Sequence, residues 1–183
     1  MGGGGRGRAG ALYPAAVARL LIVGGGERGL ALAGELAGEG HVARVVTRDA
    51  ARRSEIEAAG AECLMGDPDR LGTLRGALEG VAIACWLLGC ATGSRERLRA
   101  LQGPRLRAFV AQAVDSTVRG LLYEAAGSVP EEILAAGERA AGEVAERNAI
   151  PLAVLRTDPR EEATWLGEAV SAVDGLLAGV GRR

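Results

Sequence analysis

The sequence predicts an α/β fold in a single domain, with a parallel sheet covered by helices on both faces. Three observations carry that expectation. Short apolar runs alternate with helix-forming segments, with little chain between them. The run Val81 to Leu88 is apolar without polar alternation, as a central strand buried on both faces requires. A glycine-rich turn, Gly24 to Gly29, joins the first apolar run to the first helical segment. A length of 183 residues suits one domain with one real core.

Arg19 to Val23 reads as strand one, and Leu30 to Ala37 as the first helix, ended by Gly38-Glu39-Gly40. Val42 to Thr47 is strand two. Asp49 can cap the helix that follows, which stops at Gly60. Ala61 to Met65 is strand three. Asp67-Pro68-Asp69 opens a helix with leucines at 71, 74 and 78, and Val81 to Leu88 is strand four. Ser94 to Val114 reads as helical with a break at Gly103-Pro104, and Val118 to Tyr123 as strand five. Pro130 suits a first helical turn, where its missing N–H costs nothing, and that helix reaches Asn148. Pro151 to Leu155 is strand six. A last helix carries Trp165, Leu166, Ala169, Val170, Val173, Leu176, Leu177 and Val180 on one stripe. Right-handed crossovers then imply a Rossmann-type doubly wound sheet in the order 3-2-1-4-5-6. The last helix is expected to pack within the monomer, with a homodimer contact as the alternative.

The turn contains G-x-G-x-x-G at Gly24, Gly26 and Gly29, after a strand and before a helix. Gly24 allows the tight turn, Gly26 lets backbone approach a pyrophosphate, and Gly29 lets helix and sheet pack closely. The helix N-terminus, with Glu27 and Arg28, offers N–H groups and partial positive charge to phosphates. Strand two ends in Thr47-Arg48-Asp49, with Arg52 and Arg53 beyond. Arg48 stands where NAD-specific sites keep a carboxylate, so it can grip a 2′-phosphate, and Arg28 can add to that pocket. The expected cofactor is therefore NADP, with NAD the alternative because of Asp49. Asp67 either meets the adenine amino group or caps the next helix. Leu87, Leu88 and Gly89 end strand four, where apolar side chains and bare backbone line ribose and pyrophosphate.

Composition narrows the remaining classes. Apolar residues make up 48% and charged residues 25%, an ordinary soluble balance, and the net charge of −1 argues against nucleic acid as a partner. All 22 basic residues are arginine, which excludes any mechanism needing a lysine. Cys63, Cys85 and Cys90 are odd in number and without a C-x-x-C spacing, so free thiols are expected and a metal site is not. His41, the single histidine, sits in a turn. Residues 1–16 are expected to form a disordered Gly/Arg-rich tail ahead of the cofactor-binding domain at 17–183. Pro14 and Arg19 interrupt the apolar stretch that follows, which argues against a signal peptide. The longest apolar run, Val81 to Ala91, is too short to span a bilayer, and a cytoplasmic protein is expected.

Together these segments resemble the atypical or extended short-chain dehydrogenase/reductase superfamily, in its NAD-dependent epimerase/dehydratase-like branch. The resemblance covers Arg19 to Pro159. It rests on Leu21 to Gly29, Val46 to Asp49, Gly66-Asp67-Pro68, Ala77 to Val81 and Ile150 to Arg156. It implies an NAD(P)-binding oxidoreductase with a Ser or Thr after strand five and a Tyr-x-x-x-Lys on the next helix. The chain departs from that pattern. The serine positions read Ala125 and Ala126, and the dyad positions fall near Leu134 and Glu138. The C-terminal region that such proteins use to grip substrate is expected to be missing or reduced to one helix. Two readings follow, for an unidentified small-molecule substrate or for none. One is an NADPH-dependent reductase without the dyad, with Glu124 the candidate catalytic group near Tyr123 and Ser128. The other is a non-catalytic NAD(P)-binding sensor or regulatory protein. A methyltransferase is set aside because Arg48 replaces the expected acid.

Overall fold

The computed structural model describes residues 17–180. The disorder expected for residues 1–16 falls outside them. Among the described residues, six parallel strands form one sheet in the order β3-β2-β1-β4-β5-β6. They are β1 (Arg19–Gly24), β2 (Val42–Thr47), β3 (Glu62–Met65), β4 (Ile83–Leu87), β5 (Gly120–Glu124) and β6 (Leu152–Leu155). The order reverses between β1 and β4, and this is where an open α/β sheet forms its ligand crevice.

Two-residue alternation sends the side chains of β1 into two separate cores. Leu20 and Ile22 pack with α1 (Gly26–Gly38), α2 (Arg53–Ala58) and α6 (Glu162–Val180), through residues such as Leu32, Ile56 and Trp165. Leu21 and Val23 enter the opposite layer, built by the 3₁₀ segment Leu71–Leu78, α4 (Leu106–Val114) and α5 (Glu131–Arg147). Every residue of β4 and β5 is buried. Trp86 packs on Phe109 in that second layer, with ring centroids 4.8 Å apart. In α6, Trp165, Ala169 and Val173 are fully buried against the sheet, and Leu166, Val170 and Leu177 are partly buried beside them.

Two local expectations differ from the structure. The segment after Asp67-Pro68-Asp69 forms a 3₁₀ helix at Leu71–Leu78, where Gly72 and Gly76 leave little α propensity. No break occurs at Gly103-Pro104. Helix α3 (Arg95–Ala100) passes through a π-helical turn, Leu101–Arg105, and continues as α4. The wider turn accommodates the proline, which an α-helical interior would not. It also points Gln102 inward, where its Nε2 donates to the Leu88 carbonyl at 2.9 Å. The Tyr123 hydroxyl lies 3.2 Å from Gln102 Oε1 and 3.0 Å from the Leu134 carbonyl, either of which can accept its proton.

Gly137 gives this network its room. A Cβ there would fall against the Tyr123 hydroxyl and 2.9 Å from the Gln102 carbonyl. Gly137→Ala is expected to lower stability by about 1–3 kcal/mol, because an overpacked core must shift to admit the methyl. Urea unfolding monitored by circular dichroism measures it, and an unchanged midpoint would contradict the packing described here.

Candidate functional site

The crevice opens at the carboxyl ends of β1, β2 and β4. Its volume is about 540 Å³, within the range of small-molecule sites. The glycine turn forms its floor. Gly24, Gly25 and Gly26 all have positive φ, at 88°, 82° and 54°, so the turn depends on glycine. A Cβ on Gly29 would lie 2.5 Å from the Gly24 carbonyl, so that glycine sets how closely α1 approaches β1. A Cβ on Gly26 would meet nothing within 4 Å. The space beside its backbone is open, as approach by a pyrophosphate demands, and the first turn of α1 brings its free N–H groups there. These residues fit a dinucleotide.

The candidate cofactor-binding residues divide between two sides of β1. Gly24, Gly26, Glu27, Arg28, Arg48, Leu87 and Leu88 line the crevice. Arg48, at the end of β2, is 61% exposed and only loosely engaged, with Nη1 3.9 Å from Asp69 Oδ2. Asp49 beside it accepts from the Ala51 N–H at 2.9 Å, so its carboxylate caps the 3₁₀ turn Ala50–Arg52. Arg28 faces the other way and does not join Arg48. Its Nη2 is 3.1 Å from Glu124 Oε1, and its guanidinium carbon lies 5.2 Å from the centre of the Trp165 ring. Asp67 accepts from the Asp69 N–H at 3.0 Å, which shapes the turn after β3, and it is not among the lining residues. Gly89 is buried, and a Cβ there would run into the Ala126 carbonyl.

Glu124 closes β5 and is 0% exposed. Its Oε2 accepts from the Gly89 N–H at 2.8 Å, and its Oε1 accepts from Arg28 Nη2 at 3.1 Å and Trp165 Nε1 at 3.0 Å. Burial pushes its pKa above the ordinary glutamate value. The Arg28 charge, the Gly89 N–H, the Arg28 hydrogen bond and the Trp165 indole oppose that shift. Tyr123 is equally enclosed. Burial, then the charges of Glu138 and Glu124, raise its pKa beyond that of an ordinary phenol. At the positions where the resemblance would place the dyad, Leu134 is buried and Glu138 pairs with Arg156 at 2.6 Å. Ser128 is exposed. Sequence reasoning missed Trp165, Gln102, Asp69 and Arg97 as parts of this region. A stripe of apolar helix residues gives no sign that one indole N–H meets a buried carboxylate.

The topology and the glycine turn define a Rossmann-like α/β protein. The sequence matches no family model and no curated protein sequence. Its structural neighbours are short-chain dehydrogenase/reductase-superfamily and NAD-dependent epimerase/dehydratase proteins. One is an Agrobacterium tumefaciens short-chain dehydrogenase/reductase superfamily protein with bound NAD, at 18% identity and TM-score 0.62, covering 75% of this chain and 48% of that one. Another is the Citrobacter sp. triphenylmethane reductase complexed with NADP(H), at 22% identity and TM-score 0.57, covering 76% and 49%. A third, from Bacillus halodurans and assigned as an NAD-dependent epimerase/dehydratase, has 14% identity and TM-score 0.64, covering 77% and 70%. At these identities the likeness is one of fold. The chain spans about half the length of the first two of these proteins. Among the described residues, no helix is long and apolar enough to cross a membrane.

Replacing Glu124 tests its structural part. Glutamine would turn one acceptor into a donor facing Gly89, or facing Arg28 and Trp165. Glu124→Gln is therefore expected to destabilise the fold by about 1–3 kcal/mol at neutral pH. The folded chain holds the Glu124 proton more tightly than the unfolded chain does. This group therefore favours folding at acid pH, and that contribution is lost as pH rises from the ordinary value of 4.5 through the raised one. The variant should lack that component when unfolding is compared at about pH 5 and about pH 8. An unchanged pH dependence would remove Glu124 as its source.

Proposed function

We propose that the protein binds a nicotinamide dinucleotide, with NADP(H) preferred over NAD(H), in the crevice over the glycine turn. The observation that carries this reading is the pairing of an open backbone approach at Gly26 with an exposed arginine, Arg48, at the end of β2. Asp49 is occupied as a helix cap, which leaves Arg48 the group at that strand end to face a ribose substituent. The backbone N–H groups of Glu27 and the rest of the first turn of α1 would hold the pyrophosphate, and Leu87 and Leu88 would wall the ribose side. When bound, the dinucleotide supplies the capacity for hydride transfer.

For turnover, the reading that best accommodates the site is a cofactor-binding sensor or regulatory protein. Glu124 and Tyr123, the polar groups nearest the end of β5, are buried and engaged in internal hydrogen bonds, so neither meets a substrate as general acid or base. An NADPH-dependent reductase without the dyad is the second reading. It needs only that cofactor and acceptor be held together. Sustained NADPH oxidation with a carbonyl or flavin acceptor would favour the reductase, and binding without turnover the sensor.

Titration with NADPH, NADH and S-adenosylmethionine, followed by thermal shift and calorimetry, tests the binding itself. NADPH is expected to stabilise the protein selectively, and no response to either dinucleotide would overturn the reading. Gly26→Asp should abolish dinucleotide binding. Positive φ there strains any side chain, aspartate less than most, nothing obstructs its Cβ, and its charge would occupy the pyrophosphate space; circular dichroism checks that the fold is retained. Arg48→Glu should weaken NADPH binding by about tenfold or more while leaving NADH binding nearly unchanged. Equal losses for both cofactors would disconnect Arg48 from a 2′-phosphate.

A further inference from the structure

Beside the crevice, three arginines from three segments converge on one carboxylate. Arg97, from α3, directs Nε and Nη2 to Asp69 Oδ2 at 2.8 and 2.5 Å. Arg48, from the end of β2, brings Nη1 to 3.9 Å from the same oxygen. Arg105, from the π turn, places Nη1 2.8 Å from Asp69 Oδ1. That last pair is close but misaligned, and both atoms are shielded from solvent without a hydrogen-bond partner. Arg48 and Arg97 line the crevice, whereas Asp69 and Arg105 do not. Arg97 also donates to the Thr92 carbonyl, which fixes its guanidinium from a second direction.

We propose that Arg97 is the second guanidinium of a clamp that, with Arg48, takes the 2′-phosphate of NADP(H), and that Asp69 is the positioning residue that aims it. The proposal rests on the dinucleotide reading above. Arg48 and Arg97 already converge on one anionic oxygen, the arrangement two guanidiniums adopt around a phosphate oxygen. Three guanidiniums share the single carboxylate of Asp69, so the cluster is net positive, which suits a phosphomonoester, at about −1.5 to −2 near neutral pH, and not the uncharged 2′-hydroxyl of NAD. Arg28 and Arg52 each have a carboxylate of their own, Glu124 and Glu55, whereas Asp69 is shared among Arg48, Arg97 and Arg105. Asp69 Oδ2 is held by Arg97 and Oδ1 is shielded beside Arg105, so the carboxylate does not face a ribose hydroxyl. Arg48 is exposed and barely held, and can leave Asp69 for a ligand without breaking a hydrogen bond.

Calorimetry on the full chain tests the clamp, with NADPH, NADH, adenosine 2′,5′-bisphosphate, 5′-AMP and inorganic phosphate as probes. The wild type is expected to prefer NADPH over NADH and the bisphosphate over 5′-AMP. Arg97→Gln should reduce both preferences by about tenfold, with NADH affinity unchanged. Arg97→Lys keeps the charge beside Asp69 but not the planar fork. It should fall between wild type and Arg97→Gln, and it carries the test if the glutamine variant does not fold. Arg107→Gln, which removes an exposed pair with Glu143, serves as the surface control and should change nothing. A wild type that prefers NADPH while Arg97→Gln and Arg97→Lys leave the preference intact would overturn the clamp alone. Equal losses for both dinucleotides would overturn it too, as the mark of a structural role. Inorganic phosphate binding as tightly as the bisphosphate would overturn the assignment to a dinucleotide phosphate. A wild type that binds neither dinucleotide would overturn the underlying reading and the clamp with it.

Discussion

The Glu124 carboxylate is the joint on which the geometry of the crevice depends. Through its two oxygens, β5 is tied to the loop after β4 by Gly89, to α1 by Arg28 and to α6 by Trp165. A buried carboxylate costs several kcal/mol to desolvate and persists only where donors surround it. Here three donors do, each from a different segment. The stacking of Arg28 on Trp165 closes the loop of contacts, so the first turn of α1 is held against the last helix as well as the sheet. Hydrogen bonds placed where solvent is excluded thus set the position of the glycine turn, and the turn sets the shape of the crevice floor.

The two sides of the crevice are built on different physics. Toward β5, Glu124 is buried and its two oxygens are engaged by Gly89, Arg28 and Trp165. Toward β2 and β3, three partly exposed arginines share Asp69, and Arg48 is only loosely matched to it. Enclosed, paired groups hold a frame, while a cation in excess at a rim responds to an arriving anion. The same division separates the two arginines that the sequence places near each other in prospect, Arg28 and Arg48.

Much of the fold was legible because it is encoded locally. Alternation of apolar runs with helix formers identifies six strands, and the unbroken apolar stretch through Ile83–Leu87 marks the centre of the sheet. The glycine turn was legible as well, since positive φ at three successive positions leaves almost no other residue type. What the sequence hid depends on long-range pairing. Nothing near Asp69 announces that Arg97, 28 residues away, would bind it. Likewise Glu124 reads as a polar group at a strand end, and only the partners that reach it from Arg28 and Trp165, 96 and 41 residues distant, make it a buried strut. Gly103-Pro104 misled for a local reason, because a proline that breaks an α-helix is accommodated where the helix widens.

That widened turn between α3 and α4 also sets rotational phase. A π turn takes about one residue more than an α turn, and each residue advances a helix by about 100°. With that residue in place, Leu98 faces inward before the turn, Leu101 at its start, and Leu106, Phe109 and Val110 after it. Shortening the turn by one residue would rewind it to α and spin the whole of α4 about its axis. Phe109 would leave Trp86, and Arg105 would swing off Asp69. The inward apolar face of this long helix is therefore stitched from two registers, and the same stitch that keeps its second half in the core delivers an arginine to the edge of the crevice.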